Sequence, residues 1–235
     1  MASILPIPEN LWGLHGFFQI TIAIVGFFLT FLIYRKHQKK RNRVSMGLFF
    51  VFLCLSLAML FASFDNLLGW ENLGGEETWV GFGLAQIFNG LANTGFFWTY
   101  IEIFQAKERW DKKWKFYFGL FALIEIFVSI LIMSYYTFKW PSFVLITSGI
   151  HVLLSSVCYI AWFVSSTLLL KRIQEPKYQK RFKSLRRTSI SFMIAIVFLA
   201  ISAMSETRSF TSWMGMVMII IGIVFAYNSL IQPEE

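Results

Sequence analysis

Charge is scarce in this sequence. Only 14% of its 235 residues are Asp, Glu, Lys or Arg, against about a quarter in a soluble globular domain. With 57% hydrophobic residues and a mean hydropathy of +0.61, the chain is too apolar for a soluble enzyme or a disordered chain. Cysteine is scarce too. Cys54 and Cys158 both lie inside apolar stretches, which excludes a disulfide scaffold and marks them as small packing residues. The five prolines, Pro6, Pro8, Pro141, Pro176 and Pro233, fall at the termini or between apolar stretches. Proline kinks helices, so the helices are expected to be continuous, unlike the interrupted helices of many carriers. The three histidines form no HxxH or HExxH pattern, and there is no GxSxG or P-loop, so neither a metal site nor a catalytic set is expected. The first ten residues carry no Lys or Arg, unlike a secretory signal, so the first apolar stretch is expected to remain as a helix.

Seven stretches reach the roughly 20 apolar residues needed to cross a hydrocarbon core. They run approximately over 11–34, 44–68, 79–104, 116–136, 142–170, 188–207 and 211–231. The sequence predicts an all-α integral membrane protein, a single seven-transmembrane-helix bundle over 1–235. Spans six and seven contain no lysine, which leaves a rhodopsin-type retinal Schiff base no residue to form on. No cofactor is assigned.

The basic residues give an orientation. RKHQKKRNR follows span one, AKERWDKKWK follows span three, and KRIQEPKYQKRFKSLRR follows span five. Together they hold 19 of the 21 Lys and Arg, leaving Lys139 and Arg208 for the other side. Short basic loops stay cytoplasmic, which predicts an outer N-terminus and a cytoplasmic C-terminus in the plasma membrane. The net charge of +8 is therefore read as a topology signal facing the lipid bilayer, not as a nucleic-acid surface. The basic loops also offer a docking face for an acidic cytoplasmic partner.

Ionisable groups inside a membrane are costly and mark candidate sites. Glu125 falls near the middle of span four, and His151 at a similar depth in span five. Consecutive spans joined by a short loop tend to be neighbours, so the two are expected to meet. Such a pair can share a proton, bind a cation or contact a small polar ligand; it can equally serve as polar glue between helices. Span three carries Gln86, Asn89 and Asn93 at i, i+3 and i+7, one helix face, with Tyr100 extending the stripe. Gly81, Gly83, Ala85, Gly90, Ala92 and Gly95 make this helix slim enough for close approach. Trp98 and Tyr100 belong to the aromatic run FFWTY, a lining for an apolar ligand or ordinary packing. Asp65, Asn66, Glu71, Glu76, Glu77, Glu206 and Arg208 are expected at an outer mouth, with Arg208 pairing Glu206 or Asp65. Glu102, near the inner end of span three, is expected to pair with neighbouring basic residues.

LAMLFASFDNLL, followed by a short loop and GLANTGFFWTYIEIF, resembles spans two and three of the seven-helix N-terminal sensor region of microbial histidine kinases. The likeness covers residues 57–104 and aligns an acidic–aromatic cluster with Trp98, Tyr100 and Glu102. It implies a sensor that binds a small or lipophilic ligand among its helices. Those regions run directly into a cytoplasmic signalling domain, whereas this sequence stops just after span seven, so the resemblance implies output through a separate cytoplasmic protein. No DRY-type or NPxxY motif is present, unlike class A G-protein-coupled receptors. The competing expectations are a small-solute or proton-coupled transporter or channel and a non-catalytic subunit of a membrane complex.

Overall fold

The computed structural model describes residues 12–41, 43–68, 80–104, 112–138, 144–203 and 210–230. They form seven helices: α1 (Trp12–Lys40), α2 (Arg43–Leu68), α3 (Val80–Phe104), α4 (Lys112–Phe138), α5 (Val144–Leu170), α6 (Pro176–Ala203) and α7 (Phe210–Leu230). The ends of two differ most from the apolar pattern. α1 runs six residues beyond 34, and α6 starts at Pro176, so most of the basic segment expected as a loop is helical. Hydropathy marks where lipid is tolerated, whereas Lys, Arg and Gln are good helix formers and Pro suits a first helical position. Arg41, with φ of 31°, ends α1 by donating its amide to the His37 carbonyl at 2.7 Å.

Six of the seven helices are long and apolar enough to cross a membrane; α3 is the exception. Its four glycines, together with Gln86, Asn89, Asn93 and Glu102, dilute its apolar character, although eleven of its residues are buried. The other helices carry large apolar side chains outward, among them Phe17 and Phe28 on α1, Leu123 and Phe127 on α4, and Leu153 and Ile160 on α5. In water such continuous apolar surface promotes aggregation; in a bilayer it is solvated by acyl chains. The chain is a multi-pass membrane protein.

The described residues divide into two compact units, one ending at Ser155 and the other beginning at Ser156. The division falls inside α5. In the first unit, α1 packs on α2, α2 on α3 and α3 on α4. Small residues set these approaches: Gly26 faces Ser56, Gly47 faces Thr99, and Gly90 faces Ser129 and the Glu125 carbonyl. A methyl group at Gly90 would overlap the Ser129 hydroxyl, so glycine is what lets α3 lie close to α4 there. In the second unit α6 packs on α7. The Ser184 hydroxyl donates to the Phe225 carbonyl at 2.8 Å, and the Arg187 guanidinium lies 5.7 Å from the Phe225 ring centre.

Candidate functional site

Most buried hydroxyls in this protein are satisfied locally. Thr30, Ser56, Thr99 and Ser129 each donate to a carbonyl one turn back in their own helix. They need no ligand, and among the described residues they make one cluster of unlike groups stand out. That cluster joins α3, α4 and the first half of α5.

Glu125 is fully buried on α4. The Asn93 side-chain amide on α3 donates to its Oε1 and also to the Ser155 hydroxyl on α5, the latter at 2.6 Å. Ser155 in turn donates to the His151 carbonyl at 2.9 Å. The His151 Nδ1 lies 3.0 Å from Glu125 Oε1, the separation of an ion pair. Its ring N–H direction misses that oxygen, however, so Nδ1 makes no hydrogen bond. Glu125 Oε2 has no hydrogen-bond partner either. The expected meeting of Glu125 with His151 is therefore present, with Asn93 as the link and Ser155 as an unanticipated fourth member. Ser155 sits one turn after His151 on the same face of α5, a spacing that could have flagged it.

The rest of the polar stripe does not join in. Gln86 and Asn89 are half-buried and make no hydrogen bond to this cluster. They share a helical face with Asn93, but only Asn93 lies level with Glu125. Tyr100 belongs instead to an aromatic group toward the C-terminal end of α3: its ring lies 5.2 Å from Phe104 and 6.5 Å from Trp114. Phe97 and Phe121 continue that group at 4.7 Å. Trp98 is half-buried, with its indole N–H unpartnered.

Asp65 needs a different reading from the rim charge expected of it. It is 1% exposed, and its Oδ1 and Oδ2 accept the backbone amides of Gly81 and Phe82 at 2.9 and 2.5 Å. It caps the first turn of α3 from the end of α2, meeting orphan amides and the positive end of the helix dipole. The Asn66 side chain, and the whole of Glu71, Glu76, Glu77, Glu206 and Arg208, lie outside the described residues, as do the pairings expected of Arg208. Glu102 is buried, with the exposed Arg43 guanidinium 3.9 Å away. Cys54 and Cys158 are buried free thiols. Among the described residues no group of three His, Cys, Asp or Glu side chains is placed to hold a metal ion.

The cluster has a definite chemical capacity. It holds one carboxyl and one imidazole at ion-pair distance, and the buried Glu125 Oε2 has no hydrogen-bond partner. No protein-family model, curated protein or solved structure matches the chain.

Proposed function

We propose that this is a seven-span plasma-membrane sensor in which a small or lipophilic ligand engages the Glu125–His151–Asn93–Ser155 cluster, and a separate cytoplasmic protein reads the response at the basic segments. The observation that carries the reading is the buried Glu125 Oε2, which has no hydrogen-bond partner, beside the Glu125–His151 pair. Burying a polar group without a partner costs free energy, so a carboxylate oxygen kept unpaired at this depth favours a ligand that donates to it. The resemblance to kinase sensor regions points the same way. Transport through this cluster is the weaker reading, because the α3–α4 contact toward the C-terminal end of α3 is lined by Phe97, Tyr100, Trp114 and Phe121.

Native mass spectrometry of protein extracted gently from its membrane tests the site. Wild type is expected to carry a small molecule that Glu125→Gln loses while inserting at the same level. Equal occupancy in the two would assign Glu125 to packing alone.

The seven-span topology includes α3. Its 25 residues span about 37 Å, enough to cross, and it packs between two helices that qualify as spans. With Cys54 and Cys158 replaced by alanine, Glu76→Cys is expected to react with an impermeant maleimide in intact cells. Glu175→Cys is expected to react only after permeabilisation. If α3 does not cross, every later segment changes side, and Glu175→Cys is labelled in intact cells.

A further inference from the structure

α6 carries six Lys and Arg residues, all within 177–187, and no Asp or Glu. Some of these charges are ordered along the helix. Lys183, Arg187, Ile190, Ile194, Val197 and Ile201 follow one another in alternating steps of four and three residues, which places them on one line of the helix surface. Lys180 stands one turn before them on the same side. All are exposed except the half-buried Ile190. Leu185, Thr188, Phe192 and Ala195 are buried on the opposite side. One exposed ridge of α6 therefore changes from cationic to aliphatic just after Arg187.

That order of chemistries matches a phospholipid lying along the helix. Val197 lies about 15 Å from Arg187 along the axis, and one leaflet's hydrocarbon is half of about 30 Å. Lys183 lies about 6 Å from Arg187 in the other direction, the thickness of a headgroup layer. Lys183 and Arg187, one turn apart, can both donate to one phosphate, with an acyl chain against the aliphatic residues. The Arg187 guanidinium is held 5.7 Å from the ring centre of Phe225 on α7, which orders it at this boundary. Among the described residues no carboxylate stands at ion-pair distance from Lys180, Lys183 or Arg187. Lys180, further out, repels the ammonium of a zwitterionic headgroup and favours one of net negative charge.

A second copy of the chain fits this ridge less well. Two copies in the same membrane orientation, paired about a twofold axis along the ridge, would set Lys183 and Arg187 against their own counterparts. We infer that the ridge binds an anionic phospholipid of the leaflet on the basic side. This site is separate from the Glu125 cluster and does not depend on it.

Native mass spectrometry of the purified full chain tests this, by titration with phosphatidylglycerol or with phosphatidylcholine of the same acyl chains. The first phosphatidylglycerol is expected to bind at least about tenfold more tightly than the first phosphatidylcholine. Combining Lys180→Gln, Lys183→Gln and Arg187→Gln is expected to bring the two lipids to within about twofold. Combining Lys39→Gln, Lys113→Gln and Lys115→Gln removes the same charge from exposed positions elsewhere and is expected to leave the preference in place. An equal loss in both variants would assign the preference to diffuse attraction and overturn the site. Equal binding of the two lipids by wild type would also overturn it, and that comparison needs no variant to fold. Displacement of the bound lipid by glycerol 3-phosphate would make the ridge a soluble-phosphate site, and displacement by polyglutamate an acidic-protein site. A dimer in place of the lipid would make it a self-association surface. Each of these three outcomes overturns the lipid.

Discussion

Asp65→Ala is expected to destabilise the α1–α4 unit by about 3 kcal/mol, measured by unfolding in mixed detergent micelles with tryptophan fluorescence as readout. Asp65 is buried and holds two backbone amides of the first turn of α3, so its loss strands both donors where water does not reach. Hydrogen bonds to a charged acceptor contribute more than neutral ones, and a carboxylate at a helix N-terminus adds the dipole term. Asp65→Asn keeps one acceptor oxygen and should fall between the two. Gly81 supports the same joint: a Cβ there would overlap the Phe61 carbonyl and lie 2.8 Å from Asp65 Oδ1. Because the first obstacle is backbone, Gly81→Ala should cost on the order of 1–3 kcal/mol by overpacking. An Asp65→Ala protein within about 0.5 kcal/mol of wild type, the usual range for a featureless surface change, would show that the cap is dispensable.

The second large effect is a coupling. Glu125→Leu and His151→Leu should each destabilise, and the double variant should be less destabilised than their sum by about 2 kcal/mol. Removing one member leaves the other buried without its charge partner, whereas removing both leaves an apolar contact. Glu125→Leu should be the costlier single change, because it also frees the Asn93 amide that donates to Oε1. Strict additivity, with the cycle closing to within about 0.5 kcal/mol, would mean that the two side chains do not interact.

How much of this was legible in the residues depends on what each signal reports. Long apolar runs revealed the helices, since an apolar stretch in a bilayer must satisfy its backbone internally. They misplaced the end of α1 and the start of α6 because polarity, not helicity, changes there. Glu125 and His151 were legible because ionisable groups inside apolar runs are rare and helix rise converts position into depth. Ser155 was not: it is one of many hydroxyls, most of which bond within their own helix, and only the arrival of Asn93 from α3 distinguishes it. Asp65 was misread for a related reason. Sequence places it at the end of a span, where a rim charge belongs, but its partners begin sixteen residues later in the chain. Gln86 and Asn89 show the limit of a helical wheel, which gives direction around an axis but no height relative to a neighbour.

The boundary between the two compact units falls just after Ser155, midway along α5. His151 and Ser155 lie on the near side of that boundary, in the same unit as Asn93 and Glu125. Beyond it, within the second unit, the Tyr159 ring stacks on Phe192 of α6 at 5.4 Å. Glu125, His151, Asn93 and Ser155 therefore all belong to the first unit, and the cluster draws none of these four side chains from the second.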